Sequence, residues 1–380
     1  MITSLTGMKR KKATAHAPTV DEQLDLARRH AERNELADAE AFYRRVLERV
    51  PEHLGALTLL GLLLIDREDV DAAIDLLERA RDIAPDFPPV QLALGSAYGV
   101  AGHDSLAVVA METASKLDTT STLPLERLAK HHIAARRPRE AIGLLRRILR
   151  RDPAHAHARF LLGGLTGTRN DEGPPPELIA DLFDTYATRF DQHLVDELQY
   201  DVPRSLAALI ADLGVAAGDS LHVVDLGCGT GLAGVELRAF AKTLVGSDLS
   251  PRMIARARQR GIYDDLHVED LVTTLGRVRG IDLILAADVF IYVGMLEPTF
   301  AACRTALRPG GLLAFSVERS ATVDVVLQPT LRYAHADAYI RRLAETHDFT
   351  VARAKPSTVR IDNGQPVDGV LYVLRGGPAS

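Results

Sequence analysis

The segment Asp225-Leu226-Gly227-Cys228-Gly229-Thr230-Gly231 closes an apolar, β-branched run and opens a helical stretch. Glycines at such a junction allow a tight turn and let backbone N–H groups approach a ligand closely at a helix N-terminus. An acid follows at the end of the next strand-like run, Asp248 in Val245-Gly246-Ser247-Asp248-Leu249, 17 residues beyond Gly231. Its two oxygens can accept both hydroxyls of a ribose, so the pair of segments reads as a nucleoside site. Gly229, Gly231 and Gly234 also spell the GxGxxG of dinucleotide sites, with Asp248 19 residues past Gly229. Asp225 separates the two readings, because a carboxylate at the strand end repels a pyrophosphate but helps to hold an amino group. The expected ligand is a nucleoside with a cationic amino-acid tail.

The elements that must carry these residues are strands alternating with helices. Apolar, β-branched runs at Leu221–Leu226, Thr243–Gly246, Ile281–Ala286 and Gly311–Val317 are separated by helical stretches, the pattern of a parallel sheet covered on both faces. This doubly wound, Rossmann-like α/β domain begins near Glu177, after a linker, GTRNDEGPPP, at Gly167–Pro176.

Read in order, these segments resemble the class I S-adenosylmethionine-dependent methyltransferases. VVDLGCGTG is similar to the family's glycine motif, Asp248 to its ribose-binding acid with Leu249 beside the adenine, and Glu269-Asp270-Leu271 to the motif whose carboxylate takes the adenine amino group. Asp288 in LILAADVFIYVG stands where the fourth strand ends, LRPGGLLAFSVE resembles the turn and fifth strand, and Val370–Leu374 fits the antiparallel seventh strand. The resemblance implies S-adenosyl-L-methionine as cofactor, no metal, and a seven-stranded, mainly parallel sheet. It implies cofactor contacts at Asp225, Gly227, Cys228, Gly229, Gly231, Asp248, Leu249, Asp270, Leu271 and Asp288. Leu182–Tyr200 resembles the lid helix of small-molecule methyltransferases and of bacterial methyltransferases with helical repeats, which would turn Tyr186, Phe190 and His193 to the cofactor. If the acceptor is a hydroxyl or a protonated amine, a base must take its proton, and the candidates are Tyr292, His193 and His335. Arg332 would suit an acidic acceptor.

The first half has a different grammar. Alanine recurs at Ala39, Ala73, Ala107 and Ala141, each step being 34 residues, and two more ladders keep the register: Pro51, Pro85, Thr119, Pro153, and Ala27, Gly61, Gly95, Ala129, Gly163. Apolar residues between them fall at helical spacing, so each unit reads as two antiparallel helices whose small residues mark close crossings. These ladders resemble the tetratricopeptide repeat (TPR) family, with repeats at 20–53, 54–87, 88–121 and 122–155 and a half-repeat at 156–167. The resemblance implies an all-α TPR solenoid with a groove for a protein partner. Seven arginines between Arg136 and Arg151 read as a solvated helix face.

The organisation expected is therefore a disordered basic tail (1–18), a TPR domain (19–167), a linker (168–176) and a methyltransferase domain (177–380). Across 380 residues the net charge is -6. Counting Lys and Arg against Asp and Glu gives 25 and 25 up to residue 175 and 20 and 26 beyond it, so the whole deficit lies in the second half. That balance disfavours nucleic acid as a partner. The longest apolar stretches are too short to span a membrane, two cysteines build no disulfide framework, and the chain reads as cytoplasmic. The function expected is methyl transfer to a small-molecule or carrier-bound acceptor, with the repeats docking substrate or partner. The alternatives are a protein methyltransferase that recruits its target through the TPR groove, and a non-catalytic S-adenosylmethionine-binding scaffold.

Overall fold

The small-residue ladder has a steric origin. Helices α1 (Val20–Glu32), α2 (Leu36–Arg49), α3 (Leu54–Asp66), α4 (Val70–Ile83), α5 (Pro88–Val100), α6 (Asp104–Leu117), α7 (Leu123–Ala134) and α8 (Pro138–Arg151) follow one another in pairs. A Cβ on Gly61 would lie 2.6 Å from Leu77 Cγ, and one on Gly95 2.5 Å from Met111 Cγ. Only glycine lets α3 meet α4, and α5 meet α6, at this separation. Ala39, Ala73, Ala107 and Ala141 are fully buried in the same register. Local chemistry sets the helix starts: Thr19 and Glu22 form a reciprocal capping box on α1, and His53 Nδ1 accepts from the Ala56 N–H at the head of α3.

The computed structural model describes residues 18–33, 35–168, 173–187, 200–218, 220–321, 323–362 and 364–378, without the side chains of Thr185 and Tyr186. Among them the chain divides into two compact units, Met1–Leu144 and Leu145–Ser380. The division falls within α8, ahead of the linker that composition marks out. The reason lies inside the second unit, in α9 (Ala156–Thr166). Phe160 is buried with its ring 6.3 Å from that of Tyr333. Gly164 is so close to the turn before Tyr333 that a Cβ there would stand 2.6 Å from Leu331 Cδ2. The half-repeat thus contributes a helix to the α/β layer.

The sheet of the second unit grows from apolar runs buried on both faces. Its strands are β1 (Leu221–Leu226), β2 (Ala241–Asp248), β3 (Asp265–Val268), β4 (Ile281–Ala286), β5 (Leu307–Arg319), β6 (Val325–Leu327), β7 (Tyr333–His335), β8 (Phe349–Asp362) and β9 (Gln365–Gly376). Strands β3-β2-β1-β4-β5 run parallel in that order, β9 lies antiparallel to β5 and β8 antiparallel to β9. Val370–Leu374 accordingly sits in an antiparallel strand. Nine strands rather than seven are present among the described residues, because Val325–His335 folds into a short pair, β6–β7, whose second strand extends the far end of β5.

Helices α10 (Pro176–Tyr186), α11 (Val202–Ala211), α12 (Leu232–Leu237), α13 (Pro251–Arg260), α14 (Leu271–Arg277), α15 (Glu297–Ala306) and α16 (Asp337–Thr346) complete the unit. Phe290, Phe300, Phe315 and Tyr372 centre one buried cluster, and Leu206, Ile210, Val223 and Leu371 centre a second. Consecutive residues of one strand, Leu371 and Tyr372, belong to different clusters, as a two-faced sheet requires. Among the described residues no helix is long and apolar enough to cross a membrane.

Candidate active site

A cavity of about 460 Å³ opens beyond the carboxyl ends of β1, β2 and β4, where the strand order reverses and open α/β sheets bind their ligands. Gly227, Cys228 and Gly229 form one wall, with Gly227 and Gly229 at φ +60° and +54°. The backbone must pass close to Val289 here: a Cβ on Gly227 would lie 2.6 Å from its Cγ2. Asp248 ties the loop to the next strand, its Oδ2 accepting from the Gly229 N–H at 3.0 Å and its Oδ1 from the Ser250 N–H at 2.8 Å. Burial nevertheless pushes the Asp248 carboxyl up to about 6.

Asp270 also lines the cavity, and it caps α14: Oδ1 accepts from the Val272 and Thr273 N–H groups, and Oδ2 from the Thr273 hydroxyl. Capping holds its carboxyl below the usual range even though burial opposes it. Its neighbour Glu269 pairs through Oε2 with Arg277 at 3.1 Å and keeps Oε1 buried without a hydrogen-bond partner among the described residues. Leu249 and Leu271 supply apolar surface beside these acids.

Across the cavity, α10 contributes Ile179 and Phe183. Its Asp184 anchors it to the start of α13 by accepting from the Ser250 hydroxyl and from the Arg252 N–H. Phe183 meets the ring of Tyr292 edge-on at 5.2 Å. Tyr292 in turn stands beside Arg332, whose guanidinium pairs with Asp362 at 2.9 Å. Asp288, Tyr292, Arg332, Arg360 and Tyr200 complete a wall that mixes aromatic surface with paired charges.

A family profile described as a methyltransferase domain matches residues 224–313, and one described as a tetratricopeptide repeat matches residues 24–88 and 126–165. The chain joins a methyltransferase domain to tetratricopeptide repeats. Among curated relatives, the ubiquinone biosynthesis O-methyltransferase of Cereibacter sphaeroides is 30% identical over 131 residues, 33% of this chain and 49% of that protein. Methyltransferase-like protein 27 of Homo sapiens is 30% identical over 147 residues, 37% of this chain and 58% of that protein. The chain thus spans about half the length of the curated relatives it matches. Similar solved structures include magnesium protoporphyrin IX methyltransferase from Synechocystis PCC 6803 (TM-score 0.43, 18% identity, 53% of this chain and 99% of that one). The N-methyltransferase NodS from Bradyrhizobium japonicum WM9 is another (TM-score 0.43, 22% identity, 52% and 98%).

The methyltransferase domain brings together Gly227, Cys228, Gly229, Asp248, Leu249, Asp270, Leu271, Asp288 and Tyr292 around one cavity. Three residues singled out from the sequence stand elsewhere. Asp225 is 1% exposed and lies behind the loop, where its Oδ2 accepts from the Tyr263 hydroxyl at 2.6 Å. Gly231, at φ +93°, faces Arg260 and Tyr263 rather than the cavity. His335 is 1% exposed, donates from Nε2 to the Gly294 carbonyl at 3.0 Å, and has Nδ1 buried without a partner among the described residues. It is not among the residues that line the cavity, and burial pulls its pKa down to about 4. The reason is topological: β7 is an interior strand between β5 and β6, and its terminal side chain is packed against Tyr339. Phe190 and His193, and the side chain of Tyr186, lie outside the described residues. Cys228 touches Ile254 and Ala257, and burial raises its thiol well above the ordinary value, which leaves it a packing group.

The sequence reading missed Arg360, Tyr200 and Phe183. Arg360 sits mid-strand on β8, 72 residues from its partner Asp288, and no local pattern marks such a pair. Phe183 and Tyr200 were legible only as members of the helix ahead of β1.

Proposed function

We propose that the second unit transfers a methyl group from S-adenosyl-L-methionine to a hydroxyl of a small, largely apolar acceptor, free or carrier-bound. The observation that carries this reading is the acceptor-rich character of the cavity. Asp248, Glu269, Asp270 and Asp288 line it, whereas its two guanidiniums, Arg332 and Arg360, are already paired with carboxylates. Such a wall fits a ligand that brings hydroxyls, amino groups and positive charge, and repels a pyrophosphate. Glu269 Oε1, buried and unpartnered, needs a donor from the ligand. The residues that would hold the cofactor are Gly227, Cys228 and Gly229 along its amino-acid part, Asp248 at the ribose, and Leu249, Glu269, Asp270 and Leu271 around the base.

The cofactor supplies an electrophilic methyl on a sulfonium. The chain's own task is then alignment and exclusion of water rather than covalent chemistry. Phe183, Ile179 and the aromatic face of Tyr292 form a dry wall for an apolar acceptor. Tyr292 Oη would hold the acceptor hydroxyl and relay its proton to solvent as the oxygen takes the methyl, and Arg332 beside it would steady the charge that develops on that oxygen. The hydroxyl preference is supported by the O-methyltransferase names of the curated relatives, whose matching segments are 28–30% identical. The TPR unit serves to dock the acceptor or its carrier.

Methyl-labelled S-adenosylmethionine, added with the protein to an extract of the source cells, tests this after separation by size. Enzyme-dependent label in the small-molecule or carrier fraction is expected. Label in protein bands would instead support a protein methyltransferase that reads its target through the repeats, and label nowhere would leave a binding scaffold.

A further inference from the structure

Behind the end of β4, three charged side chains of unequal sign meet, Arg360 and Glu318 buried and Asp288 partly exposed at the cavity wall. Asp288 leaves the strand at φ +57°, a left-handed conformation that a non-glycine residue adopts at a cost. Its N–H donates to Ser316 Oγ at 2.8 Å, Ser316 Oγ donates to its Oδ1 at 2.9 Å, and Arg360 Nη1 donates to its Oδ2. Arg360, on β8 and 3% exposed, turns its Nη2 to Glu318 Oε1, and Gln328 Nε2 donates to Glu318 Oε2 at 2.9 Å. Glu318 is also 3% exposed.

Three of the four carboxylate oxygens accept hydrogen bonds, and the fourth, Glu318 Oε1, stands against the Arg360 guanidinium as an ion pair without a hydrogen bond among the described residues. Two carboxylates against one guanidinium leave one net negative charge, too buried for salt or water to screen effectively. The other guanidinium of the cavity wall is balanced by Asp362. Ser316 and Arg360 already satisfy Asp288 at the left-handed turn. Burial of the second acid adds a desolvation cost that, among the described residues, is offset only by Gln328 and the guanidinium it shares with Asp288. Asp288 and Arg360 both line the cavity, so the surplus charge is felt there.

We propose that the Asp288–Arg360–Glu318 cluster is a built-in counter-charge for a cationic centre in the cavity, and that it makes the site discriminate the sulfonium donor from its neutral thioether product. This inference rests on the donor assignment of the preceding section. S-adenosylhomocysteine keeps every hydroxyl, amino and carboxyl group of the donor and lacks only the methyl and its positive charge. Once the methyl has left, the ligand no longer answers to the cluster, and exchange of product for donor is favoured.

The test is calorimetric binding of S-adenosylmethionine, S-adenosylhomocysteine and sinefungin, which carries an ammonium in place of the methylsulfonium, to the full chain and to Glu318→Gln. The amide keeps an oxygen for Arg360 and removes the surplus charge. Binding of both cationic ligands is expected to weaken about tenfold, and that of S-adenosylhomocysteine less than twofold. Asp288→Asn, which removes the same charge from the other acid, should skew affinity in the same direction, and circular dichroism confirms that each variant is folded. Equal weakening of all three ligands, or unchanged binding of the cations, overturns the counter-charge. Failure of the native protein to bind any of the three would instead remove the donor assignment itself.

Discussion

The Tyr263 hydroxyl donates a 2.6 Å hydrogen bond to Asp225 Oδ2. The ring that carries it fills the space left by three glycines. A Cβ on Gly231 would lie 3.1 Å from Tyr263 Cε2, one on Gly246 2.8 Å from Cε1, and one on Gly234 would collide with the hydroxyl itself. Two of the glycines that spell a nucleotide fingerprint are thus glycines because of a tyrosine. The bond leaves Asp225 short of compensation, and burial pushes its carboxyl up to about 7.

A pH dependence of stability follows. The folded state favours protonated Asp225, so between the ordinary carboxylate value of 3.8 and about 7 it holds more protons than the unfolded chain. Stability from this group is present below that window and is lost as pH rises through 7. Asp248, raised to about 6, acts in the same direction. In urea unfolding of the ligand-free protein, the midpoint should be higher at pH 5 than at pH 8, and Asp225→Asn should flatten the difference. Each tenfold difference in proton affinity between the folded and unfolded chain corresponds to about 1.4 kcal/mol, which limits the Asp225 contribution to about 4 kcal/mol. A variant with the native slope would locate the effect elsewhere.

Two glycine substitutions should behave oppositely. At Gly227, alanine meets both the left-handed φ of +60° and the Val289 side chain, so Gly227→Ala should cost about 1–3 kcal/mol and weaken S-adenosylhomocysteine binding at least tenfold. Gly276, near the end of α14, has nothing within 4 Å of its Cβ position. Gly276→Ala should be neutral or stabilising by up to about 1 kcal/mol, with binding intact. Melting curves with and without ligand distinguish the two.

Asp248 has a double duty, since it holds the Gly229 N–H and presents acceptor capacity to the ligand. Asp248→Ala should therefore weaken S-adenosylmethionine binding by more than tenfold, a loss of at least about 1.4 kcal/mol. Retention of full affinity, or tighter binding of NAD than of S-adenosylmethionine by the native protein, would displace the cofactor assignment.

What was legible in the sequence was whatever repeats or stays local. The 34-residue ladder and the Asp225–Gly231 loop are local patterns, because one close helix crossing or one tight turn imposes them on neighbouring positions. The Asp288–Arg360 pair and the packing of His335 depend on β8 and β7 finding their places beside β9 and β5, which single-chain periodicity does not encode. Asp225 shows the limit within a motif: its place at the strand end was readable, while the direction of its carboxylate was decided by Tyr263, 38 residues away.

The position of α9 yields the last prediction. Sequence composition ends the repeats at the 168–176 linker, yet Phe160 and Gly164 are packed against Tyr333 and Leu331, and Tyr333 in turn abuts Gly294 on the cavity wall. A Cβ on Gly294 would stand 3.0 Å from the Tyr333 ring, so this wall has no slack. Loss of α9 uncovers the buried Tyr333 ring that backs this wall. A fragment of residues 145–380 should consequently unfold cooperatively and bind S-adenosylhomocysteine, whereas residues 177–380 should melt at lower temperature or aggregate. Phe160→Ala in the full chain should cost about 3–5 kcal/mol in the unfolding of the second unit, the usual range for a buried phenylalanine. Equal melting of the two fragments would return α9 to the repeats and leave the α/β domain beginning where the linker ends.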